Sequence, residues 1–520
     1  MAVVKRTYKQ ADFSLMGIRE DMLEGDDIEA RGKSLREAKN IRALASRAIE
    51  SRPGSLYLAD LTGYDLLFEI RPADGLIFSL ALGSGKLLIS SQDGSPVYEL
   101  SSVPWPDLEG FWVQTFREKT IFGHGVAGLF TLELDGSTWS LTPFVFDSAP
   151  GGDTAQPYWS FVQGISLTPS ARTGAITVTA SADVFAAADV GQRIRYGQRE
   201  ILVTAFTSAT EVSGTVVSTL PPSFNVTVSN GGDFQSGDVV VGSDTNFQGI
   251  VQSISGNVLS VTALRFFDGP DAGETLSSPK GSSKVTSKSE ITPLPSVIWD
   301  EPLMSPKRGY PRSGSAVSGR LILVDFPLVP DLVVCSSARA VTDFEAGAEE
   351  DDAIVRQSGD DVPRFLHAIN AGDLILLSDR GSYYVQTRGD GVLSPATFRT
   401  ILFDKRASSA VAPQLVDDGV AFLNSTRQSV LYASLAGNVN LRWRVRNMTV
   451  YHQHTIKQPV AICGAGSNFR TTEKYLLVVN SDGTIAAVSW RESLDDEAVG
   501  FVAWETVGQY RAAALCSTSI

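Results

Sequence analysis

Residues 309–344 read GYPRSGSAVSGRLILVDFPLVPDLVVCSSARAVTDF. Tyr310-Pro311 opens the stretch as a turn, and Leu321-Ile322-Leu323-Val324 has the unbroken apolar character of a buried strand. A Pro-rich turn follows, then a second apolar run, Leu332-Val333-Val334-Cys335, and a polar exit toward Phe344. Two short strands joined by a tight reversal are the repeating unit of many all-β architectures. Similar units lie on both sides of this one, so it serves as the best-formed copy of a repeat.

N-terminal to it, Leu66–Ile70, Leu76–Leu82, Lys86–Ile89 and Val97–Leu100 alternate with Gly83-Ser84-Gly85 and Gln92-Asp93-Gly94-Ser95. Leu56-Tyr57-Leu58 reads as a further short strand before them. Trp112–Phe116, Lys119–Phe122, Gly128–Leu134 and Trp139–Pro143 continue the rhythm, with Asp135-Gly136 as a hairpin turn. C-terminal to it, Leu374–Ser378 pairs with Ser382–Gln386 across Asp379-Arg380-Gly381, and Val416–Leu423 with Ser429–Ala433. Tyr475–Asn480 and Thr484–Trp490 form the clearest hairpin, around Ser481-Asp482-Gly483. The count is about six units. Radial repetition is how many short antiparallel sheets avoid open edges, so the main domain is expected to be a β-propeller of about six blades, in an all-β chain.

Between the two series, residues 160–295 change texture, becoming rich in Ser, Thr, Val and Gly and poor in charge. Two small β-barrel or sandwich modules are expected there, over about 165–222 and 223–280. Each carries a turn before a strand, Asp189-Val190-Gly191 and Gly237-Asp238-Val239. Asp147–Pro157 reads as a linker into the insertion and Gly281–Lys288 as the linker out. The expected organisation is an arm over 1–50, propeller over 51–150 and 296–520, and the insertion between. In the arm, Leu35, Ala38, Ile41, Ala45 and Ile49 are spaced as on a helix, and Ser34 with Glu37 forms a capping-box pattern. Local spacing therefore predicts a helix over Ser34–Glu50.

Composition narrows the function. A net charge of −14 disfavours coating of DNA, which needs clustered Lys and Arg. Three cysteines, Cys335, Cys463 and Cys516, make no disulfide framework and suit a reducing compartment. No apolar run approaches membrane-spanning length, and the first residues lack a signal-type apolar core. Chemistry is sparse. His452 and His454 flank Gln453 and would share one face of a strand, yet no Cys or third His lies near; polar strand residues are the better reading. The acidic run Glu345–Asp361 lacks the ligand order of a calcium loop and reads as a solvated loop. Ser315 in GSAVSG fails the nucleophile-elbow pattern, Cys463–Gly466 fails the phosphate-loop pattern, and Gly83–Lys86 enters a strand rather than a helix. No catalytic, metal or cofactor residues are assigned, and an enzyme is not expected.

The order of several weak motifs resembles the tail nozzle, or tail tubular protein B, family of short-tailed bacteriophages. Asn40 in AKNIRAL and Ser51-Arg52-Pro53-Gly54-Ser55 resemble the start of that family. Tyr310-Pro311, Gly319-Arg320-Leu321, Ser336-Ser337 and Asp343-Phe344 follow in the same order, then the acidic Glu349–Asp352. Gly381–Tyr384, Leu393-Ser394-Pro395, Val411–Pro413, Asp482-Gly483-Thr484-Ile485-Ala486, Trp504 and Gly508 complete it. The resemblance covers most of residues 30–510 outside the insertion; family members commonly continue beyond the segment equivalent to Trp504–Gly508. It implies a virion structural protein: a homo-hexameric ring below the portal and its adaptor, meeting tail fibres or spikes, through which genomic DNA is retained and then leaves. It also implies extended chain, not helix, over Ser34–Glu50. The competing expectations are a carbohydrate-binding or depolymerising tail protein and a non-viral propeller scaffold.

Overall fold

The computed structural model describes residues 10, 12–18, 32–44, 48–52, 54, 57–73, 75–116, 119–358, 362–388, 392–417, 419–437, 442–465, 474–490 and 500–513. The chain divides into two units, one of Met1–Phe144, Tyr310–Val341 and Ala346–Ile520, the other of Val145–Gly309 with Thr342–Glu345.

The first unit contains six four-stranded antiparallel sheets, each built from four consecutive strands in the order of the chain. Blade 1 is Leu66–Ala73, Leu76–Gly83, Lys86–Ser90 and Pro96–Leu100; blade 2 is Trp112–Phe116, Lys119–His124, Gly128–Asp135 and Thr138–Pro143. Blade 3 is Ser313–Val317, Arg320–Val324, Leu332–Cys335 and Ile354–Gln357; blade 4 is Phe365–Asn370, Leu374–Ser378, Ser382–Val385 and Ile401–Asp404. Blade 5 is Gln414–Val416, Gly419–Leu423, Val430–Ala436 and Arg442–Asn447; blade 6 is Ala461–Ala465, Lys474–Val479, Ile485–Trp490 and Phe501–Trp504. The first strands of the blades together line one central cavity. This unit is a six-bladed β-propeller.

Apolar layers between successive blades hold it together. Ile70, Leu80, Phe122 and Leu132 join blades 1 and 2 around the buried Trp105. Ile322, Val333, Phe365 and Leu376 join blades 3 and 4, while Ile375, Val420 and Trp443 join blades 4 and 5. Blades 5 and 6 meet at Ala421, Tyr432, Leu476 and Val488. Where blades 2 and 3 meet, Trp112 lies flat against backbone: a Cβ on Gly123 would stand 2.1 Å from its ring and one on Gly314 2.4 Å away. Side chains are excluded at both positions because no carbon–carbon contact survives much below ~3.5 Å.

The opening stretch is thus more than two strands. Ser313–Val317 forms the innermost strand, and Ser318 and Gly319, with φ of 50° and 79°, make the two-residue hairpin turn into Arg320. The outermost strand, Ile354–Gln357, lies inside the run expected to be a solvated loop. The segment expected as one strand over Val416–Leu423 is two, paired as Val416 with Gly419.

The helix expected over Ser34–Glu50 is not formed. Ser34–Leu35, Ile41–Ala43 and Ile49–Ser51 are extended, in agreement with the family resemblance; 45–47 lie outside the described residues, as does Leu56 of the expected strand Leu56–Leu58. Blade 6 overrides the local spacing. The Asn40 N–H donates to the Ala503 carbonyl at 2.9 Å, and Trp504 Nε1 donates to the Ile41 carbonyl at 2.9 Å. Asn40 takes φ of 51°, a left-handed conformation that Asn tolerates, which turns Ala38 and Ile41 onto Val479, Ile485, Ala487 and Val502. Tyr510 and Ala513 pack on the same face.

The second unit holds a seven-stranded sheet and a closed six-stranded barrel. The sheet is built from Tyr158–Trp159, Leu167–Pro169, Ala175–Ala180, Arg193–Tyr196, Arg199–Ser208, Glu211–Val216 and Trp299–Pro302. The barrel comprises Ser223–Val228, Val239–Gly242, Gln248–Ser255, Val258–Arg265, Thr275–Ser277 and Ser282–Ile291. Ser282–Ile291 occupies the stretch expected to be the outgoing linker. Only Ser283 and Val285 of its side chains are buried, so its sequence carries no apolar pattern. Pairing with both Ser223–Val228 and Thr275–Ser277 makes it the strand that closes the barrel. Each module uses one device before a strand: Asp189 accepts the Ala186 N–H and Asp238 the Gln235 N–H.

Candidate functional site in the propeller channel

The central cavity has a volume of about 1370 Å³ and is walled by the first strands of all six blades. Propeller geometry places those strands edge-on to the axis, so small and polar residues are tolerated where the outer strands need bulk. Ser313, Ser315 and Ala368 lie on the wall beside Gln114, Gln414 and Glu69. Ser313 and Ser315 are 7% and 6% exposed, and among the described residues their hydroxyls have no hydrogen-bond partner.

Arginines gather at the end of the cavity where the first strands begin. Arg312 and Arg364 immediately precede the first strands of blades 3 and 4, Arg427 lies in the turn between the second and third strands of blade 5, and Arg511 follows blade 6. Arg364 is fixed: Nε and Nη2 donate to the two oxygens of the buried Asp325 at 2.7 and 2.9 Å, and that bond raises the guanidinium pKa. Arg511 stands 3.9 Å from Asp65, both well exposed. Arg312 runs over the backbone of Gly110 and Gly125, its Cγ 3.0 Å and 3.1 Å from where their Cβ atoms would stand. The guanidinium groups of Arg312 and Arg427 have no hydrogen-bonding or ion-pair partner among the described residues.

Two titratable groups on the cavity wall, His367 and Cys463, are held neutral by burial. His367 is pushed down to about 4, its Nε2 donating to the Ser409 carbonyl at 3.0 Å. The Cys463 thiol is pushed up to about 11, chiefly by burial and further by Glu69. A thiol in that state is not a nucleophile near neutrality. The cavity therefore offers arginines, hydroxyls and neutral hydrogen-bonding groups beside the carboxylates of Asp65 and Glu69, an arrangement suited to binding.

The other sequence features resolve as architecture. His452 and His454 do not lie on a strand; they flank and enter the 3-10 turn Gln453–Thr455. His452 is buried and its Nε2 donates to the Leu15 carbonyl at 2.6 Å, anchoring the arm. Arg320 is 2% exposed and donates to three backbone carbonyls, Ser336 and Asp352 at 2.8 and 2.7 Å and Glu350 at 2.8 Å. The acidic run is thereby held through its backbone, as well as through the Asp351 carboxylate, which pairs with Arg339. Gly83–Lys86 is a hairpin turn, with Gly83 paired to Lys86. Among the described residues no group of three or more His, Cys, Asp or Glu is placed to hold a metal, and no helix is long and apolar enough to cross a membrane. Sequence reading missed the arginine mouth. The signal was positional: Arg312 and Arg364 occupy the same place, one residue before a first strand, in consecutive repeats.

No family model matches the chain, and no curated protein matches it. Among solved structures it is similar to Kluyveromyces lactis Hsv2 at 8% identity, over 86% of this chain and 98% of that one, with a TM-score of 0.29. It is similar to AztD from Citrobacter koseri at 10% identity over 82% and 96%, with a TM-score of 0.26. The WD40 domain of SCAP from fission yeast gives 8% identity over 86% and 89%, with a TM-score of 0.27. The fold assignment rests on the strand order and the ring of first strands described above.

Proposed function

We propose that the protein is a structural subunit of the tail nozzle of a short-tailed bacteriophage, assembling as a hexameric ring that retains and then conducts the genome. The observation that carries this reading is the collinear order of the nozzle-like motifs across residues 31–508 outside the insertion. Three features support it. The first unit is a propeller of six blades, and a two-module insertion separates blades 2 and 3 in the chain. The motif residues serve the frame: Arg320 pins a loop, and Asn40 ties the arm to blade 6.

The size of the cavity supports a conduit through the ring rather than through the interior of one subunit. Spread along five-residue strands such as Ser313–Val317, about 17 Å long, the 1370 Å³ cavity is only ~10 Å across. A duplex with grooves about 8.5 Å deep is wider than ~17 Å. The DNA path is the axis shared by six subunits. An acidic chain suits that path, because few phosphate contacts form and the genome slides.

Negative-stain imaging of the recombinant protein and of virions tests the assembly. Six-fold rings are expected; a strictly monomeric protein that cleaves or binds polysaccharide refutes the nozzle and supports the carbohydrate-active alternative. A mobility-shift assay at low salt is expected to show no tight duplex binding. Nanomolar binding would sink the sliding model.

A further inference from the structure

We propose that the arginine-lined mouth of the propeller channel is a binding site for an oxyanion-bearing small molecule, one carrying phosphate or carboxylate groups. The site belongs to the propeller unit and is independent of the nozzle assignment.

Four observations converge on it. The first is charge: in a chain of net charge −14, the cavity lining carries Arg312, Arg364, Arg427 and Arg511 against the carboxylates of Asp65 and Glu69, and the first three come from three successive blades. The second is vacancy of hydrogen bonding. Arg364 has its fork filled by Asp325, whereas Arg312 and Arg427, both partly shielded from solvent, present ten N–H donors by the count of five per guanidinium and no protein acceptor among the described residues. The third is a pair of hydroxyls on largely buried residues, Ser313 and Ser315, on the wall next to Arg312, which have no protein partner among the described residues but are not themselves sealed from solvent. Hydroxyls that no protein group occupies and that remain open on a cavity wall are free to donate to a ligand there. The fourth is rigidity. Arg312 leaves the backbone at the start of a strand and is braced on Gly110 and Gly125, and Arg364 is locked by its carboxylate, so little ordering cost remains for a ligand.

Guanidinium forks match carboxylate and phosphate geometry two bonds at a time, while serine hydroxyls donate to the remaining oxygens. The cavity excludes a duplex but accommodates a molecule of metabolite size. Such a ligand enters with its charged end toward Arg312 and Arg427, and its anion is met by the hydroxyls of the blade 3 strand.

The test is titration calorimetry on the full chain with inorganic pyrophosphate and, separately, citrate; the two probes distinguish phosphate from carboxylate chemistry. Measurable binding of at least one probe is expected, weakening as salt rises. Arg312→Gln and Arg427→Gln are each expected to weaken it by about tenfold or more, as loss of a charge-assisted hydrogen bond implies. Arg339→Gln removes the same charge at the exposed pair with Asp351, away from the channel, and is expected to leave affinity unchanged. Circular dichroism and melting of each variant confirm that it is folded. The proposal is overturned if neither probe binds in the millimolar range or tighter, if the Arg312→Gln/Arg427→Gln double variant binds as well as the unaltered chain, or if Arg339→Gln weakens binding equally.

Discussion

Acidification should loosen the propeller through two histidines that the fold keeps uncharged. His452 donates from Nε2 to the Leu15 carbonyl, and its Nδ1 is buried without a partner, so a second proton would create a buried N–H with no acceptor. Burial pushes its pKa down to about 4, and burial does the same to His367. In the unfolded chain both return to about 6.5. The unfolded state therefore binds more protons below pH 6.5. The stabilisation is complete above that value, is lost as the pH falls toward 4, and falls no further below it. The slope is about 1.4 kcal/mol per pH unit for each histidine in that window, or roughly 2 kcal/mol each by pH 5. Urea unfolding across pH 4–7.5 measures it. His452→Gln and His367→Gln each lower stability at pH 7 but should flatten the profile by about one proton between pH 6.5 and 4. Protonation of carboxylates is common to all three proteins and cancels in the comparison. Parallel profiles for variant and unaltered protein would refute the assignment.

Three further outcomes follow from packing. Gly314→Ala places a methyl inside contact distance of Trp112, whose ring is tied by Nε1 to the Pro311 carbonyl at 3.0 Å; a loss of about 1–3 kcal/mol is expected in thermal melting. Arg320→Met leaves three carbonyls without their donor and should cost roughly 3 kcal/mol, with faster hydrogen exchange and proteolysis confined to residues 349–352. In the inserted unit, the buried Glu301 carboxylate pairs with Lys307 and, in two bonds, with Arg308. Glu301→Ala leaves Arg308 without its carboxylate and Lys307 with Asp189 alone, and should destabilise that unit by about 3 kcal/mol in urea, leaving the propeller transition in place.

What the sequence disclosed depended on where a strand sits within its blade. Second and third strands are buried on both faces, so Leu321–Val324 and Leu374–Leu377 are continuous apolar runs visible without a structure. The first strand of blade 3 meets the Trp112 ring and the channel, where Ser, Gly and Ala fit, so SGSAV carries no apolar run to mark it as a strand. Outermost strands are half solvated, and Ile354–Gln357 disappears into an acidic run. The barrel strand Ser282–Ile291 is almost wholly polar and is specified by the edges it joins. The arm fails for the same reason in reverse: its local spacing favours a helix, but the partners that decide its conformation lie at the other end of the chain. No local motif announces the arginine mouth, because it is assembled from three repeats and becomes apparent only when those repeats are superposed as blades.

That last separation has a kinetic meaning. Ile41 and Trp504 bond across 463 positions, so the arm is made first and its docking surface last. At 5–20 residues per second the arm waits roughly 20–90 s for blade 6 to emerge. Throughout that interval Leu15, Met16 and Ile18, buried in the finished protein, are without their docking surface, as are Ala38 and Ile41. The nascent chain thus carries an exposed adhesive end for most of its synthesis. Neighbouring nascent chains offer that end the same blade, which makes exchange of arms between copies the natural misassembly of this fold when expression is fast.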